Sequence, residues 1–341
     1  MICAVAAAVL AAAVGCTTSG GDGLPHSWEE LRSWRYQEWD AWASKHVFDN
    51  PAVGDLWTPD AMDGAPPQQP APAAAVREGN DPPPAPVQAV PVPRPYTMTP
   101  ASAKVFMTAP KGGTGQCSAT VVADPAHPGR SNLVWTAAHC VHEGKGGDWY
   151  RNIVVVPAYN SSGAASDHHK ASLADVAPLG QWWADKVITS PLWTVEGGHS
   201  GDAANQYDFA VIRVRDPQGG DRSLEEVIGR AVPVWFDAPR EALEISAWGY
   251  PSVQPFDGQE LNRCDGGRPG RYSFDAKRPA MYAIGCTMTA GASGGGWFAT
   301  MPDGRQGLVS NTSVGAAGHA YLLGPYLEEV ARQALAYLSK K

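Results

Sequence analysis

The sequence predicts an all-β fold. After a Pro-rich stretch, short apolar or alternating runs recur between Gly, Pro, Asn and Asp clusters, and 37 Gly and 30 Pro among 341 residues supply the turns. The runs are Lys104 to Met107, Ser118 to Ala123, Leu133 to Thr136, Ile153 to Val156, Phe209 to Val214, Glu244 to Trp248, Met281 to Ile284 and Leu308 to Val314. Spacing of this kind argues for a barrel or sandwich rather than alternating β and α units. The strong helical pattern of this region stands at its end: Pro325 is tolerated in a first helical turn, and Leu327, Val330, Ala334 and Leu338 recur at helical spacing.

Composition narrows the function. Charged residues make up 18% and hydrophobic ones 44%, which excludes a coiled coil and an acidic disordered chain. The net charge of -8, with no basic block, gives neither a phosphate-binding stripe nor a patch for anionic membranes, so no nucleic-acid partner is expected.

Three segments precede the β region. Residues 1–15 read as a signal peptide: Ala4 to Val14 is apolar, too short to span a bilayer of about 30 Å but of h-region length. The stretch ends Ala13-Val14-Gly15-Cys16, which resembles a bacterial lipoprotein signal with Cys16 as the lipid attachment and membrane anchor. It departs from that pattern in Ala13, where Leu is usual, and in lacking a basic residue before Arg32; an ordinary secretory signal is the alternative. Both readings place the protein outside the cytoplasm. In residues 16–60, Ser27 with Glu30 forms a capping box, and Trp28, Leu31, Trp39 and Trp42 share one helical face. Packing on the main domain is the plain role for that face; a membrane surface or a propeptide are the others. Residues 61–97 form a linker, with 11 prolines between Pro66 and Pro95 and few large apolar residues. Extended as polyproline II, it holds the following domain up to roughly 90 Å away.

Residues 98–341 carry three chemical motifs: Val134-Trp135-Thr136-Ala137-Ala138-His139-Cys140, Tyr207-Asp208-Phe209-Ala210-Val211-Ile212, and Thr289-Ala290-Gly291-Ala292-Ser293-Gly294-Gly295-Gly296-Trp297. Each alone has a structural reading, as a hydrogen-bonded core His, a turn-capping Asp and a Gly-rich loop. In the order His139, Asp208, Ser293 they resemble the trypsin/chymotrypsin-like serine proteases, near the bacterial secreted branch that includes glutamyl endopeptidases. The resemblance covers roughly Val105 to Leu338. It implies two six-stranded antiparallel β barrels with a cleft between them and a carboxy-terminal helix, polypeptide substrates, a monomer, and neither cofactor nor metal.

The chemistry needs these residue types. A serine hydroxyl is a weak nucleophile at neutral pH, so His139 must take its proton and return it to the leaving amine, while Asp208 fixes the imidazole tautomer. The glycines let the Gly291 and Ser293 amides converge as an oxyanion hole. Two positions depart from trypsin. Ala292 stands where zymogens carry the Asp that pairs with a newly cut amino terminus, and Thr287, six residues before Ser293, stands where a preference for Arg or Lys needs Asp. The strand Val309 to Val314 also lacks the His with which glutamyl endopeptidases hold a substrate carboxylate, so a small or apolar P1 residue is expected.

Rival readings are a noncatalytic, surface-displayed module with a protease fold, an esterase or lipase built on the Gly291-Ala292-Ser293-Gly294-Gly295 elbow with Asp303 and His319, and a metal site at His139, His142 and Glu143. The adjacent His168 and His169 read as a polar loop. Of six cysteines, Cys3 lies in the signal and Cys16 is the lipid candidate. The remaining four allow three pairings; the resemblance implies Cys117 with Cys140, leaving Cys264 with Cys286.

Overall fold

A computed structural model of the chain describes residues 24–25, 27–68, 70, 80–96, 101–198, 200–216 and 218–340. The signal segment, with Cys3 and Cys16, lies outside the described residues. Among the described residues no helix is long and apolar enough to cross a membrane.

The predicted single helix near the amino terminus is two, α1 (Trp28–Ser33) and α2 (Tyr36–His46). Ser27 caps the first, accepting from the Glu30 amide at 3.1 Å, and the second starts afresh where the Glu38 carboxylate accepts from the Arg35 amide at 2.8 Å. The break keeps Trp28, Leu31, Trp39 and Trp42 on one buried surface, packed with Tyr207, Phe209 and the carboxy-terminal helix. Then follow β1 (Phe48–Asp49), α3 (Pro59–Asp63) and β2 (Val90–Pro91).

The strands β3 (Ser102–Thr108), β4 (Thr114–Val122), β5 (Leu133–Thr136), β6 (Arg151–Pro157), β7 (Trp182–Thr189) and β8 (Ala210–Arg215) close into a six-stranded antiparallel barrel. Short helices α4 (Leu173–Val176), α5 (Pro191–Glu196) and α6 (Leu224–Ile228) punctuate its connections. Alternation along β3 divides its side chains: Ala103, Val105 and Met107 enter the barrel core, whereas Phe106 faces a second cluster with Trp57, Tyr96, Tyr159 and Tyr250.

The second half holds a sheet of β9 (Ile245–Gly249), β10 (Asn262–Gly267), β13 (Gly296–Thr300) and β14 (Gln306–Asn311), and another of β11 (Gly270–Tyr272), β12 (Met281–Gly285), β15 (Val314–Gly315) and β16 (Tyr321–Gly324). With the closed first barrel, these sheets are consistent with a chymotrypsin-like double barrel. The disulfides pair Cys117 with Cys140 and Cys264 with Cys286, the latter joining the two sheets. Sequence separations of 23 and 22 make each worth about 3 kcal/mol in the chain-entropy model. Helix α7 (Glu329–Ser339) ends the fold; it starts after Pro325 and Leu327, and the Pro325 carbonyl instead accepts from Ser310 Oγ at 2.7 Å.

Residues 80–96 differ from the expected free linker. Strand β2 pairs with β10 at the open edge of its sheet, the Val87 carbonyl accepts from the Thr287 amide at 2.9 Å, and the Val92 amide donates to Leu261 O at 2.8 Å. Proline removes amide donors, which forbids a central strand but suits an edge strand whose remaining donors alternate toward its partner. Further back, the Asn50 side chain makes three hydrogen bonds into the first barrel, to Ile153 N, Ile153 O and Ala184 O. Trp57 is buried, with Nε1 donating to Asn152 O at 2.8 Å. Residues 48–68 and 80–96 therefore form a belt laid on both halves. Replacing Trp57 with Ala should cost about 3–5 kcal/mol in denaturant unfolding; a change within about 0.5 kcal/mol, as for an exposed tether, would contradict the belt.

Candidate active site

Strand β5 delivers His139 to the barrel rim. Its end passes into a single 3-10 turn, Ala138–Cys140, anchored from inside by the Cys117 disulfide. Asp208 caps the helical turn Ala203–Tyr207 just ahead of β8. The pairing of β5 with β8, Thr136 opposite Ala210, brings the two turns together.

Asp208 then grips His139 with both oxygens: Oδ2 lies 2.7 Å from His139 Nδ1, and Oδ1 accepts from the His139 amide at 2.9 Å. With Asp208 fully buried, the carboxylate needs every bond it can get. Ser313 Oγ donates to Oδ2 at 2.6 Å, and Asn311 Nδ2 donates to the Asp208 carbonyl at 3.0 Å. Ser313 is itself held by Asn205 Nδ2, and Asn311 by Trp135 Nε1. This arrangement favours a proton on Nδ1 and leaves Nε2 as the imidazole's free acceptor.

Ser293 sits between β12 and β13. Its carbonyl accepts from the Ser118 amide at 2.7 Å, which fastens it to the first barrel. Gly294 follows with φ +77°, and a Cβ there would stand 2.1 Å from Thr136 Oγ1 and 2.9 Å from Ala137 N, so the serine turn abuts the strand end that carries His139. Gly291, at φ +98°, is equally constrained: a Cβ would lie 2.2 Å from Ser252 Oγ. Among the described residues the Gly291 and Ser293 amides have no hydrogen-bond partner.

Two buried polar atoms lack a partner here, Ser293 Oγ and His139 Nε2. Unpaired buried groups cost about 1–3 kcal/mol each, and native folds retain them chiefly where they have work to do. Beside them Trp193 lies with its ring 6.3 Å from that of His139, tied by Nε1 to His142 O.

His139 lies near the sulfurs of Cys117 and Cys140, but these are consumed in the disulfide. His142 accepts from the Gly144 amide at 2.9 Å through Nδ1, and burial lowers its pKa to about 4, keeping the ring neutral. Asp303 pairs with Arg305 two residues on, and His319 sits in a turn with φ +54°. His168 binds Asp63 of the belt at 2.7 Å.

The structure thus gathers His139, Asp208, Ser293 and Gly291. Sequence reading missed Ser313, Asn311 and Ser118. For Asn311 and Ser313 the signal was present as Ser310-Asn311-Thr312-Ser313, a buried polar run that leads from the end of β14 to β15 and needs partners that only the fold supplies.

Solved structures resemble the chain. A thermostable serine protease, AL20, from an extremophilic microorganism shares 31% identity at a TM-score of 0.57, over 72% of this chain and 99% of that one. The protease Anisep from Arthrobacter nicotinovorans shares 28% at 0.55, over 71% and 96%. A Glu endopeptidase at 16% identity and a TM-score of 0.53, over 74% and 97%, supports the fold alone. No protein family profile and no curated protein matches.

Opposite effects are expected at two serines. Ser313→Ala, which strips a donor from a buried carboxylate, should destabilise the fold by about 1–3 kcal/mol, whereas Ser293→Ala, which removes an unpaired hydroxyl, should be neutral or stabilising. Equal losses in denaturant unfolding would contradict this account of the site.

Proposed function

Since the chain belongs to the chymotrypsin-like serine proteases of bacteria, we propose that it is an extracytoplasmic endopeptidase that cleaves peptide bonds through Ser293, His139 and Asp208 by way of an acyl-enzyme. The observation that carries this reading is the two-oxygen grip of Asp208 on His139, which occupies Nδ1 and leaves Nε2, like the Ser293 hydroxyl, buried without a partner. His139 takes the Ser293 proton as Oγ attacks the scissile carbonyl, then returns it to the departing amine; water repeats the cycle on the acyl-enzyme. The Gly291 and Ser293 amides receive the oxyanion, each such donor being worth about 3–4 kcal/mol of barrier elsewhere. Uncoupled atoms in the resting site are expected, because such hydrogen bonds tighten when substrate is bound.

The noncatalytic alternative leaves both orphaned atoms without a purpose. An α/β-hydrolase elbow requires a strand-turn-helix, whereas Ser293 stands between two strands of an all-β half. For P1, the position that would hold a specificity carboxylate is Thr287, and its hydroxyl accepts from the Ala89 amide at 2.9 Å. Thr312, within the Val309 to Val314 segment that lacks a His, accepts from Trp297 Nε1 at 2.9 Å. Neither position offers charge, which supports a small or apolar P1 residue. The disulfides suit an oxidising compartment, and the Cys16 signal gives membrane anchoring through a lipid as the mode of retention.

A fluorophosphonate probe should label the wild-type chain and fail on Ser293→Ala; an unlabelled wild type would sink the assignment. A peptide library should show cleavage after small or apolar residues, and a profile dominated by Arg, Lys or Glu would overturn the P1 reading.

A further inference from the structure

The fold buries an ammonium group beside the serine loop. Lys104, on β3, is fully buried. Its Nζ donates to Gly258 O at 2.7 Å and lies 4.6 Å from the Tyr159 ring centroid, 5.3 Å from Phe106 and 5.9 Å from Tyr250. Among the described residues no carboxylate forms an ion pair with it; Asp63 and Asp257 act on it from further off. Desolvation lowers its pKa to about 7, so retaining it costs stability, and an apolar side chain would fill the same box more cheaply. A buried amine kept against that cost points to a task other than holding the core together.

Its surroundings lead to the oxyanion segment. In the β3–β4 ladder Lys104 stands directly opposite Ser118. Ser118 Oγ bridges the two sides of the site, accepting from the Tyr250 amide at 2.9 Å and donating to Gly291 O at 2.8 Å. The loop running from Tyr250 to Gly258, whose ends are the ring over Lys104 and the carbonyl it binds, is stitched to the serine loop. Ser252 N donates to Ala290 O at 2.7 Å, Val253 N to Thr289 Oγ1 at 3.1 Å, and Thr289 Oγ1 to Val253 O at 2.8 Å. Gly249 packs against Ala292 with no slack, since a Cβ there would lie 3.0 Å from Ala292 Cα. Ala292 has no carboxylate with which to anchor this segment by an ion pair.

We propose that Lys104 is a positioning residue for the oxyanion hole: by holding Gly258 and Tyr250 it fixes the loop that sets the Gly291 and Ser293 amides. The inference rests on the protease reading and adds to it an internal anchor built on the first barrel. A displaced donor pair harms the transition state far more than ground-state binding.

The test uses the full chain with Lys104→Met. The fluorophosphonate labelling rate at Ser293 should fall about 10- to 100-fold. Binding of a peptide substrate in the Ser293→Ala background should stay within about twofold, and the thermal midpoint should be maintained or raised. If Lys104→Met does not fold, Lys104→Gln, whose polar end stops one atom short of Gly258 O, takes its place with the same expectation. Equal labelling rates in wild type and a folded variant would overturn the inference alone, as would failure of both variants to fold, which would make Lys104 a structural residue. No labelling of the wild type would overturn the protease reading and this inference with it.

Discussion

The Asp208 carboxylate is the constraint on which the rest of the structure depends. It is fully buried, and a buried carboxylate is tolerable only when its oxygens are bonded. Two of its partners come from the His139 turn of the first barrel and one, Ser313, from the second half. Satisfying it therefore demands that both halves meet in one register. Asn311 adds to this, joining the Asp208 carbonyl to Trp135 in the first barrel's strand β5. The polar run Ser310 to Ser313 is thus the seam between the halves and the orienter of the imidazole at once.

Much of this was legible in the sequence. The strand runs were enough for the fold class, because strand alternation and Gly-rich turns are local signals; His139, Asp208 and Ser293 were singled out by the resemblance that their three motifs carry in that order. Ser118 was not legible, since its partner lies 173 residues away and no local pattern distinguishes it from an ordinary strand serine, and the polar run that holds Ser313 does not reveal a partner 105 residues away. Lys104 was silent, since nothing local marks a lysine at the head of a strand run as buried, and the cover of aromatic rings that buries it comes mostly from elsewhere in the chain.

The Pro-rich stretch shows a different kind of miss. Its composition cannot build a core, and that inference holds. It does not follow that the segment stands free. Residues 80–92 borrow a core, lying along β10, β11 and the Thr287 loop, with Asp81 bonded to Arg271, and Asn80 to Ser273. At Gly285 the fit is close enough that a Cβ would fall 1.9 Å from Ala85 O. Helices α1 and α2 behave similarly, spending their tryptophans on Tyr207 and α7 rather than on another surface. The described residues 27–68 and 80–96 are thus packed against the barrels.

That belt has a consequence for the order of assembly. Its segment 80–96 is synthesised before its partners at Leu261, Arg263, Arg271 and Thr287, so the docking of that segment closes loops of more than 150 residues and belongs to the last stage of folding. Until then its strand edge must wait without finding a wrong partner. Seven prolines between Pro82 and Pro95 leave few amides to donate, which makes the waiting segment a poor template for stray strand pairing while the barrels form. The residues that looked like a spacer instead delay one part of the protein until the rest is ready to receive it.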